Sequence, residues 1–289
     1  MVRYKDYWPG FEPKEHMFHA LLESVECGRP IEVIGPFKSK SNIELLLERF
    51  LRVVRIKKKA DFFITGENKL PQFDRAKKQI GFWRSYPERD DVFRFPYWMW
   101  HLDWPELREV PDYPRYGMPL SIDRLMRPIC ETYAGDQISR RLNRAVLFSK
   151  HLKEPRKRLH ELTSRAIGCD GFGGAFGDDN REKPKMPLME GYRFSLCPEN
   201  QIGDGYITEK IPEAFHSGCI PITWCRPADL QEDFNPRAVI NLYGLDDVQV
   251  NEVLTEVSLK GSLYNDLVSE PLLLSRPSLI PLIKFISGG

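Results

Sequence analysis

The segment from Tyr192 to Trp224 constrains the fold of this chain more than any other stretch. It opens with the aromatic, alternating run YRFSLC, which predicts a buried strand that ends before Pro198. A polar loop follows, then a short helix with Thr208 at its N-cap and Gly218 at its end, and then an apolar second strand. A strand, a loop, a helix and a strand in this order favour a parallel α/β sheet, in which ligands bind at the carboxyl ends of the strands.

The polar loop carries residue types that suit a nucleotide sugar. Lys210 supplies a positive charge for phosphate groups near the start of the helix. Glu209 beside it would repel phosphate, so we expect this carboxylate to accept hydrogen bonds from ribose or sugar hydroxyls. A solvated loop before an ordinary capped helix is the alternative interpretation. Because the helix contains Pro212, its regular part is predicted to begin nearer Ile211 or Pro212 than Thr208.

Five short strings extend this pattern along the chain. They are FSLCPEN at 194–200, GYITEKI at 205–211, IPI at 220–222, DFNP at 233–236 and VIN at 239–241. Together they resemble the donor-site signature of glycosyltransferase family 10, the α-1,3/1,4-fucosyltransferases, in its soluble bacterial and viral form. The resemblance implies an enzyme that uses GDP-fucose as its donor. The residues that it places at the donor are Arg156, Glu199, Asn200, Tyr206, Thr208, Glu209 and Lys210.

A second strand and loop, in the first half of the chain, offers a candidate base. Residues 60–65 predict a strand, and Gly66, Glu67 and Asn68 follow at its carboxyl end. From the residues alone, Glu67 is either a general base or the cap of a turn. The strings FITGEN, IGF and RFP, with DYWPGF near the start, also resemble family 10, so the resemblance spans nearly the whole chain. In that family the glutamate of the Gly-Glu-Asn motif is the proposed catalytic base, which corresponds to Glu67.

The stretch from Trp83 to Trp104 is unusually rich in aromatic residues. Because aromatic faces stack on sugar rings, we predict that Trp83 contacts the acceptor, together with Asn68. The alternative is that most of these rings form hydrophobic core. The chain departs from the family here, since Lys78 and Gln79 precede IGF and Trp83 follows it, where members usually carry an acidic-aromatic pair and an aspartate.

The most basic stretch of the protein lies between residues 140 and 165. It has no aromatic interleaving and no nucleic-acid-binding motif, and the net charge of the whole chain is only +1, which argues against nucleic acid as a partner. One or two arginines that meet a diphosphate at the start of a helix explain the charge better. The family resemblance assigns this contact to Arg156, with Lys153 and Arg158 as alternatives because the register is ambiguous.

Strand and helix signals alternate in both halves of the chain, which predicts an α/β protein. The family resemblance implies the GT-B architecture, with two Rossmann-like domains and a cleft between them. We predict an acceptor-binding domain over residues 1–140 and a GDP-sugar-binding domain over residues 141–270. Residues 271–289 contain a final apolar helix over residues 278–286, which we expect to pack at the domain boundary.

Neither a metal site nor a cofactor is predicted. The chain has no Asp-x-Asp motif for a metal-bridged diphosphate, and His16 and His19 have no identifiable third ligand, so both are assigned to a helix surface. The resemblance leaves open stimulation by Mn²⁺ or Mg²⁺. The six scattered cysteines, with no C-x-x-C pair, indicate buried free thiols in a reducing compartment. We find no apolar run of ~20 residues and no signal peptide, and therefore predict a cytoplasmic protein without a transmembrane segment.

The resemblance implies an inverting transfer of L-fucose from GDP-fucose to a glycan hydroxyl, as part of glycan biosynthesis and protein glycosylation. Glu67 would deprotonate the acceptor hydroxyl. Lys210 and Arg156 would offset the charge that develops as GDP leaves. The acceptor implied is a glycan that contains N-acetylglucosamine or lactosamine.

Three positions in the signature keep other functions open. Pro198, Gln201 and Cys225 stand where family members usually carry Phe, Ser and Gly. One alternative is a transferase of the same fold that uses a different GDP-sugar. The other is a catalytically silent homologue that binds a glycan or a nucleotide.

Overall fold

The structure is a computed structural model that describes residues 2–5, 16–25, 33–34, 59–65, 67–107, 119–177 and 185–288. These residues form two compact units. One unit contains the described residues up to 97, Leu107 and the residues from 279 onward, and the other contains residues 98–106 and 119–278. The sequence predicts a boundary at residue 140, whereas packing places residues 98–106 and 119–140 in the second unit.

A parallel sheet forms the centre of the first unit. Its described elements are β1 (Val2–Lys5), α1 (Met17–Val25), β2 (Val33–Ile34), β3 (Ala60–Thr65), β4 (Ala76–Gly81) and β5 (Val92–Arg94). The strands pair in the order β2-β1-β3-β4-β5, and each pair is parallel. The predicted strand over residues 60–65 is therefore confirmed, and it lies between β1 and β4.

The second unit contains another parallel sheet. Its described helices are α2 (Ile122–Leu125), α3 (Ile129–Thr132), α4 (Gly135–Arg140), α5 (Arg156–Ala166), α6 (Lys185–Met189), α7 (Lys210–His216), α8 (Pro227–Asp233), α9 (Asp247–Ser258) and α10 (Ser262–Val268). Its strands are β6 (Leu142–Phe148), β7 (Cys169–Phe172), β8 (Tyr192–Leu196), β9 (Ile220–Thr223) and β10 (Ile240–Asn241). They pair in the order β10-β9-β8-β6-β7, again all parallel.

The segment that most constrains the fold lies at the centre of this second sheet. All five side chains of β8 are buried, as expected for a strand of a parallel sheet that is covered on both faces. β8 pairs with β6 on one side and with β9 on the other. The predicted order of strand, loop, helix and strand is confirmed, because α7 connects the loop after β8 to β9.

Both sheets share one topology, and this topology defines where a ligand can bind. In each sheet the first strand in the chain lies between the second and the third, which is the doubly wound order 2-1-3-4-5. The connections change direction between β1 and β3 in the first sheet, and between β6 and β8 in the second. Ligands of open α/β sheets bind at the carboxyl ends of such strand pairs. The loop that contains Glu67 follows β3, and the polar loop that contains Glu199 follows β8.

The last helix, α11 (Ile280–Ser287), confirms the final helix predicted from the sequence. It packs in the first unit, where the ring of Phe285 lies 5.2 Å from the ring of Phe93. The Lys78 ammonium donates a hydrogen bond to the Phe285 carbonyl and lies 4.8 Å above the Phe285 ring. Lys78, which departs from the family pattern, therefore serves to hold this helix.

Two histidines that the sequence assigns to a helix surface are buried, so that assignment is wrong. His16 and His19 are 3% and 5% exposed. His16 precedes α1, and its Nδ1 accepts a hydrogen bond from the Phe18 amide at 3.2 Å. His19 Nε2 lies 3.3 Å from the Glu23 carboxylate. Both side chains thus have structural partners at the start of α1.

The described cysteines are free thiols, as predicted. Cys169, Cys197, Cys219 and Cys225 are buried, whereas Cys130 is exposed. Burial raises the pKa of the Cys219 thiol to about 12, which keeps it protonated and unreactive. Cys27 lies outside the described residues. No helix in the described part of the chain is long and apolar enough to cross a membrane.

Candidate functional site

The loop after β8 brings Glu199, Thr208 and Lys210 into one hydrogen-bond network. Glu199 is 0% exposed, and its Oε1 accepts a hydrogen bond from the Thr208 amide at 2.8 Å. The Thr208 hydroxyl lies 3.0 Å from both carboxylate oxygens. The Lys210 ammonium donates to Glu199 Oε2 at 2.8 Å and to Thr208 Oγ1 at 2.5 Å. The buried carboxylate therefore fixes the position of the lysine at the start of α7.

This network corrects two predictions. Thr208 is not the N-cap of the helix, because its hydroxyl is used by Glu199; Glu209 is the N-cap residue and α7 begins at Lys210. Pro212 is tolerated so early because the first four N–H groups of a helix have no partner within the helix. Glu199 was expected to line the donor site, but a fully buried side chain can act there only through Lys210.

Glu209 and Lys210 both carry full charge at neutral pH. Burial would raise the pKa of Glu209, but Lys210, Lys185 and His101 outweigh it and lower that pKa to about 2. Burial would lower the pKa of Lys210, but Glu199 and Glu209 outweigh it and raise that pKa. The site thus presents an ionised carboxylate and an ammonium on consecutive residues.

Arg156 joins this cluster from the helix that follows the neighbouring strand β6. It is the first residue of α5, and its Nη1 donates a hydrogen bond at 3.2 Å to the hydroxyl of Ser149, which follows β6. Burial lowers the pKa of Arg156, and the charges of Glu199, Tyr206 and Glu209 partly offset this effect. The positive charge of Arg156 in turn opposes the charge on Lys210. Two cations therefore converge where β6 and β8 end, which favours a bound anion.

Of the other two basic candidates, one pairs with a different helix and the other is exposed. Arg158 forms an ion pair with Asp247 of α9 at 2.6 Å and donates a second hydrogen bond to the Leu245 carbonyl. Lys153 is exposed. Of the three alternatives that the sequence leaves open, Arg156 is the one that faces Glu199 and Glu209.

A clamp that sequence reasoning missed holds the middle of the polar loop. Asp229 of α8 is 2% exposed, and its Oδ1 accepts a hydrogen bond from the Gly205 amide at 3.2 Å. Arg226 donates to Asp229 Oδ2 at 2.8 Å and to the Gly203 carbonyl at 2.6 Å. Gly205 has a φ of 74°, a left-handed conformation that favours glycine. The one sign of this clamp in the sequence is that Arg226 and Asp229 lie three residues apart at the start of a helix.

Replacement of Asp229 by Ala is expected to destabilise the protein by about 1–3 kcal/mol, because it removes a buried acceptor of charged and backbone hydrogen bonds. Denaturant unfolding followed by circular dichroism measures this change. Asp247→Ala is the matched control, since it removes an exposed carboxylate paired with Arg158 and should cost at most about 1 kcal/mol. Equal effects of the two substitutions would show that the clamp does not hold the loop.

The candidate base, Glu67, lies beyond the end of β3 with its side chain exposed. Its backbone is fixed on both sides: the Glu67 amide and the Thr65 hydroxyl are 3.3 Å apart, and the Lys69 amide donates to the Glu67 carbonyl at 2.7 Å. Asn68 is half-buried, and Gly66 lies outside the described residues. A fixed backbone with an exposed carboxylate suits a group that accepts a proton from a substrate.

Trp83 does not have the exposed ring that acceptor stacking requires. It is 2% exposed, its ring stacks on Phe63 with centroids 6.4 Å apart, and its Nε1 donates to the Lys69 carbonyl at 2.6 Å. The prediction that Trp83 contacts the acceptor is therefore wrong in this structure, and the core alternative holds for it. Trp98, Trp100 and Trp104 are buried as well.

Two further donor candidates differ in exposure. Asn200 is exposed at the tip of the polar loop, whereas Tyr206 is 4% exposed. Tyr206 lies close enough to Arg156 to affect its pKa. These placements bring six of the seven predicted donor residues around the ends of β6 and β8, with Asn200 at the surface.

The glycine-rich stretch 169–177 forms part of the second sheet. Its first four residues form β7, and the following turn packs on the residue after β6, with the Ala175 amide donating to the Ser149 carbonyl at 3.1 Å. Gly173 has a φ of 98°, and a Cβ there would lie 2.7 Å from the Ser149 carbonyl oxygen. The glycines thus allow close packing beside Ser149, the partner of Arg156.

Among the described residues, no group of three or more His, Cys, Asp and Glu side chains is placed to bind a metal ion.

Comparisons with known proteins agree with this geometry. Residues 139–267 match the model of the glycosyltransferase family 10 (fucosyltransferase) C-terminal domain. A stretch of 61 residues, 21% of the chain, is 44% identical to the α-(1,3)-fucosyltransferase FucT of Helicobacter pylori. A stretch of 91 residues, 32% of the chain, is 31% identical to the 4-galactosyl-N-acetylglucosaminide 3-α-L-fucosyltransferase 9 of Homo sapiens. These stretches span only 13% and 25% of the two relatives.

Solved structures extend the likeness to the whole chain. A crystal structure of an α1,3-fucosyltransferase matches with a TM-score of 0.70 and 19% identity, over 100% of this chain and 90% of the other. A crystal structure of an α1,3-fucosyltransferase with GDP-fucose matches with a TM-score of 0.65 and 18% identity, over 99% and 89%. At this identity the likeness concerns the fold, and it confirms the predicted α/β fold of the GT-B class.

Proposed function

We propose that this chain, which belongs to glycosyltransferase family 10, transfers L-fucose from GDP-fucose to a hydroxyl group of a glycan. The observation that carries the proposal is the convergence of Arg156 and Lys210 beside the ionised Glu209, where β6 and β8 end. Two cations next to a carboxylate suit a diphosphate that is joined to hydroxyl-bearing rings. The names of the relatives support fucose as the transferred sugar.

The two cations would bind the diphosphate of the donor. Lys210 is held by Glu199 and Thr208, so its ammonium does not have to be ordered when the phosphate binds. Arg156 is oriented in the same way by Ser149. Because both groups are positioned in advance, they stabilise the charge that grows on the β-phosphate as the bond to fucose breaks.

Glu209 would bind hydroxyl groups of the donor. Its pKa of about 2 keeps the carboxylate ionised, so both oxygens act only as acceptors at neutral pH. Ribose and fucose both carry hydroxyl donors. We assign Asn200 and Tyr206 to the same donor-binding site, and the second unit as a whole to the GDP-sugar.

Glu67, in the first unit, would be the general base. It would accept the proton of the acceptor hydroxyl while the oxygen forms a bond to the anomeric carbon of fucose and the bond to the GDP oxygen breaks. A single displacement of this kind inverts the configuration of the anomeric carbon. We assign the acceptor to the first unit, with Asn68 beside the base, and expect a glycan that contains N-acetylglucosamine or lactosamine.

The two arginines at the start of α5 give a test of the diphosphate contact. Arg156→Ala should weaken binding of GDP about 10- to 100-fold, the effect of losing a charged hydrogen bond of about 1.5–3 kcal/mol. Arg158→Ala, the matched control, breaks only the pair with Asp247 and should leave the affinity unchanged. Isothermal calorimetry with GDP measures both. If Arg158→Ala weakens binding and Arg156→Ala does not, the assignment of Arg156 is wrong.

A panel of donors separates fucose transfer from its alternatives. We expect calorimetry to detect binding of GDP-fucose, and the release of GDP to require an acceptor. Equal or faster turnover with GDP-mannose would identify a transferase for another GDP-sugar. Binding of GDP-fucose without release of GDP, for any acceptor that contains N-acetylglucosamine, would identify a silent homologue.

A further inference from the structure

A second ion pair joins Lys185 to Glu213, one helical turn after Glu209, and has no part in the function proposed above. Lys185, the first residue of α6, donates a hydrogen bond from Nζ to Glu213 Oε2 at 2.7 Å. Glu213 is 3% exposed and lies one helical turn after Glu209, with its amide donating to the Glu209 carbonyl at 2.9 Å. Within the described residues, Glu213 Oε1 has no hydrogen-bond partner. The pair therefore fixes only one of the two Glu213 oxygens.

Lys185 acts on both buried carboxylates of this helix. Its positive charge lowers the pKa of Glu209 as well as that of Glu213, although its hydrogen bond goes to Glu213. Lys210 lowers the pKa of Glu209 as well, and more strongly, but its ammonium is held by Glu199 and Thr208. His101, in the 3-10 turn Tyr97–His101, also faces Glu209, but burial lowers its pKa to about 4, so it is neutral at pH 7.

We propose that the Lys185–Glu213 pair positions Glu209 for the donor. Glu213 holds the Lys185 ammonium by a direct hydrogen bond, so this ammonium does not occupy the oxygens of Glu209. At the same time the charge of Lys185 helps to keep Glu209 ionised. Glu209 thereby stays a charged acceptor with oxygens available for hydroxyl groups of the bound nucleotide sugar. This inference rests on the proposed role of Glu209 in donor binding.

The arrangement makes donor binding sensitive to pH. Burial raises the pKa of Glu213 to about 7, with Glu209 contributing in the same direction and Lys185 opposing it. Below pH 7 Glu213 becomes neutral and binds the Lys185 ammonium less strongly. The ammonium then forms an ion pair with Glu209 and occupies the carboxylate oxygens that the donor needs. The charged and titratable groups that face this pair are Glu209, Lys210 and, through Glu209, His101. Of Glu209, Glu213 and His101, Glu213 is the one whose pKa lies between 6 and 8.

The test is the affinity for GDP-fucose, measured by calorimetry between pH 6 and pH 8. If donor binds well only when Glu213 is ionised, a pKa near 7 makes the affinity of the parent protein fall about tenfold from pH 8 to pH 6. Glu213→Gln should bind weakly, at the level of the parent at pH 6, and with no change across this range. In turnover assays the loss should appear in KM and not in kcat, because Glu213 does not touch the reacting atoms.

Lys185→Gln is the second variant, in case Glu213→Gln does not fold. It leaves Glu209 and Glu213 as neighbouring buried carboxylates without their shared cation, which raises the pKa of Glu213 above the range measured. Because no ammonium is left that could turn to Glu209, we expect pH-independent binding at the level of the parent at pH 8, and a return of the pH response in Lys185→Arg. Glu256→Gln, an exposed position on α9, is the surface control and should keep the profile of the parent.

Three outcomes are decisive. A flat profile in both Glu213→Gln and Lys185→Gln, with the parent response kept in Lys185→Arg and Glu256→Gln, supports the proposal. A parent-like pH profile in Glu213→Gln or Lys185→Gln, or the parent's pH 8 affinity in Glu213→Gln, overturns it and leaves the proposed function intact. A parent protein that binds no GDP-fucose at any pH overturns the proposed function, and this inference with it.

Discussion

The Glu67→Gln variant is expected to lose fucose transfer while it binds GDP-fucose as tightly as the parent protein. A general base contributes about 10²- to 10⁴-fold to the rate, and the amide cannot accept the proton. The substitution keeps the size of the side chain. It also leaves the backbone contacts of Glu67 with Thr65 and Lys69 in place, so the fold of the loop should not change.

Initial rates with labelled GDP-fucose, together with calorimetry of the donor, separate the two effects. Glu88→Gln is the control, because it neutralises another exposed carboxylate of the same unit and should leave the rate unchanged. Near-normal turnover in Glu67→Gln would remove Glu67 as the base. A loss of donor affinity equal to the loss of rate would instead make it a donor-binding residue.

The Lys210→Ala variant is expected to lose about 2–4 kcal/mol of transition-state stabilisation, which is about 30- to 1,000-fold in kcat. The ammonium is held beside Glu199 and Thr208 before the substrate binds, so its full charge meets the phosphate without reorganisation. The substitution also leaves Glu199, which is 0% exposed, without its cation. A buried carboxylate that keeps only its hydrogen bonds to Thr208 and loses its ammonium is costly, so the stability of the protein should fall as well.

Combining Lys210→Ala with Glu199→Gln distinguishes the two contributions. The double variant removes the buried charge that has lost its ammonium, so it should recover stability in denaturant unfolding without recovering rate. Lys157→Ala, an exposed lysine of α5, is the control for a general loss of positive charge. If Lys210→Ala keeps both the donor affinity and the rate of the parent, Lys210 has no part in the site.

The sequence predicted those features that local patterns determine. The aromatic run of β8, the Gly218 that ends α7 and the apolar run of β9 each identify an element by its neighbours in the chain, and all three are present. The strand before Glu67 was predictable for the same reason. Since parallel strands align their carboxyl ends, these elements also indicated which loops would carry the site.

Features that depend on distant partners were not predictable. Thr208 has the local signature of an N-cap, but Glu199, nine residues earlier, takes its hydroxyl once the loop has folded. Trp83 has the composition of a sugar-stacking residue, and only its packing on Phe63 shows that it is core. No local pattern indicates that Lys185 pairs with Glu213, 28 residues away, because the pairing depends on how α6 packs against α7.

The domain boundary was misplaced for a related reason. The predicted boundary at residue 140 lies just before β6, the first strand of the second sheet, which begins at Leu142. The helices α2, α3 and α4 precede that strand but pack with the sheet that follows it. For example, the Tyr133 hydroxyl donates to the His216 carbonyl at the end of α7. Such contacts are tertiary and leave no periodic signal in the sequence.

The most direct test of the central claim is the transfer of fucose from GDP-fucose to N-acetyllactosamine by the parent protein. We predict release of GDP that requires the acceptor, a fucosylated product with inverted anomeric configuration, and loss of this product in Lys210→Ala and Glu67→Gln. Release of GDP at the same rate without acceptor, or an unchanged rate in Lys210→Ala, would contradict the account.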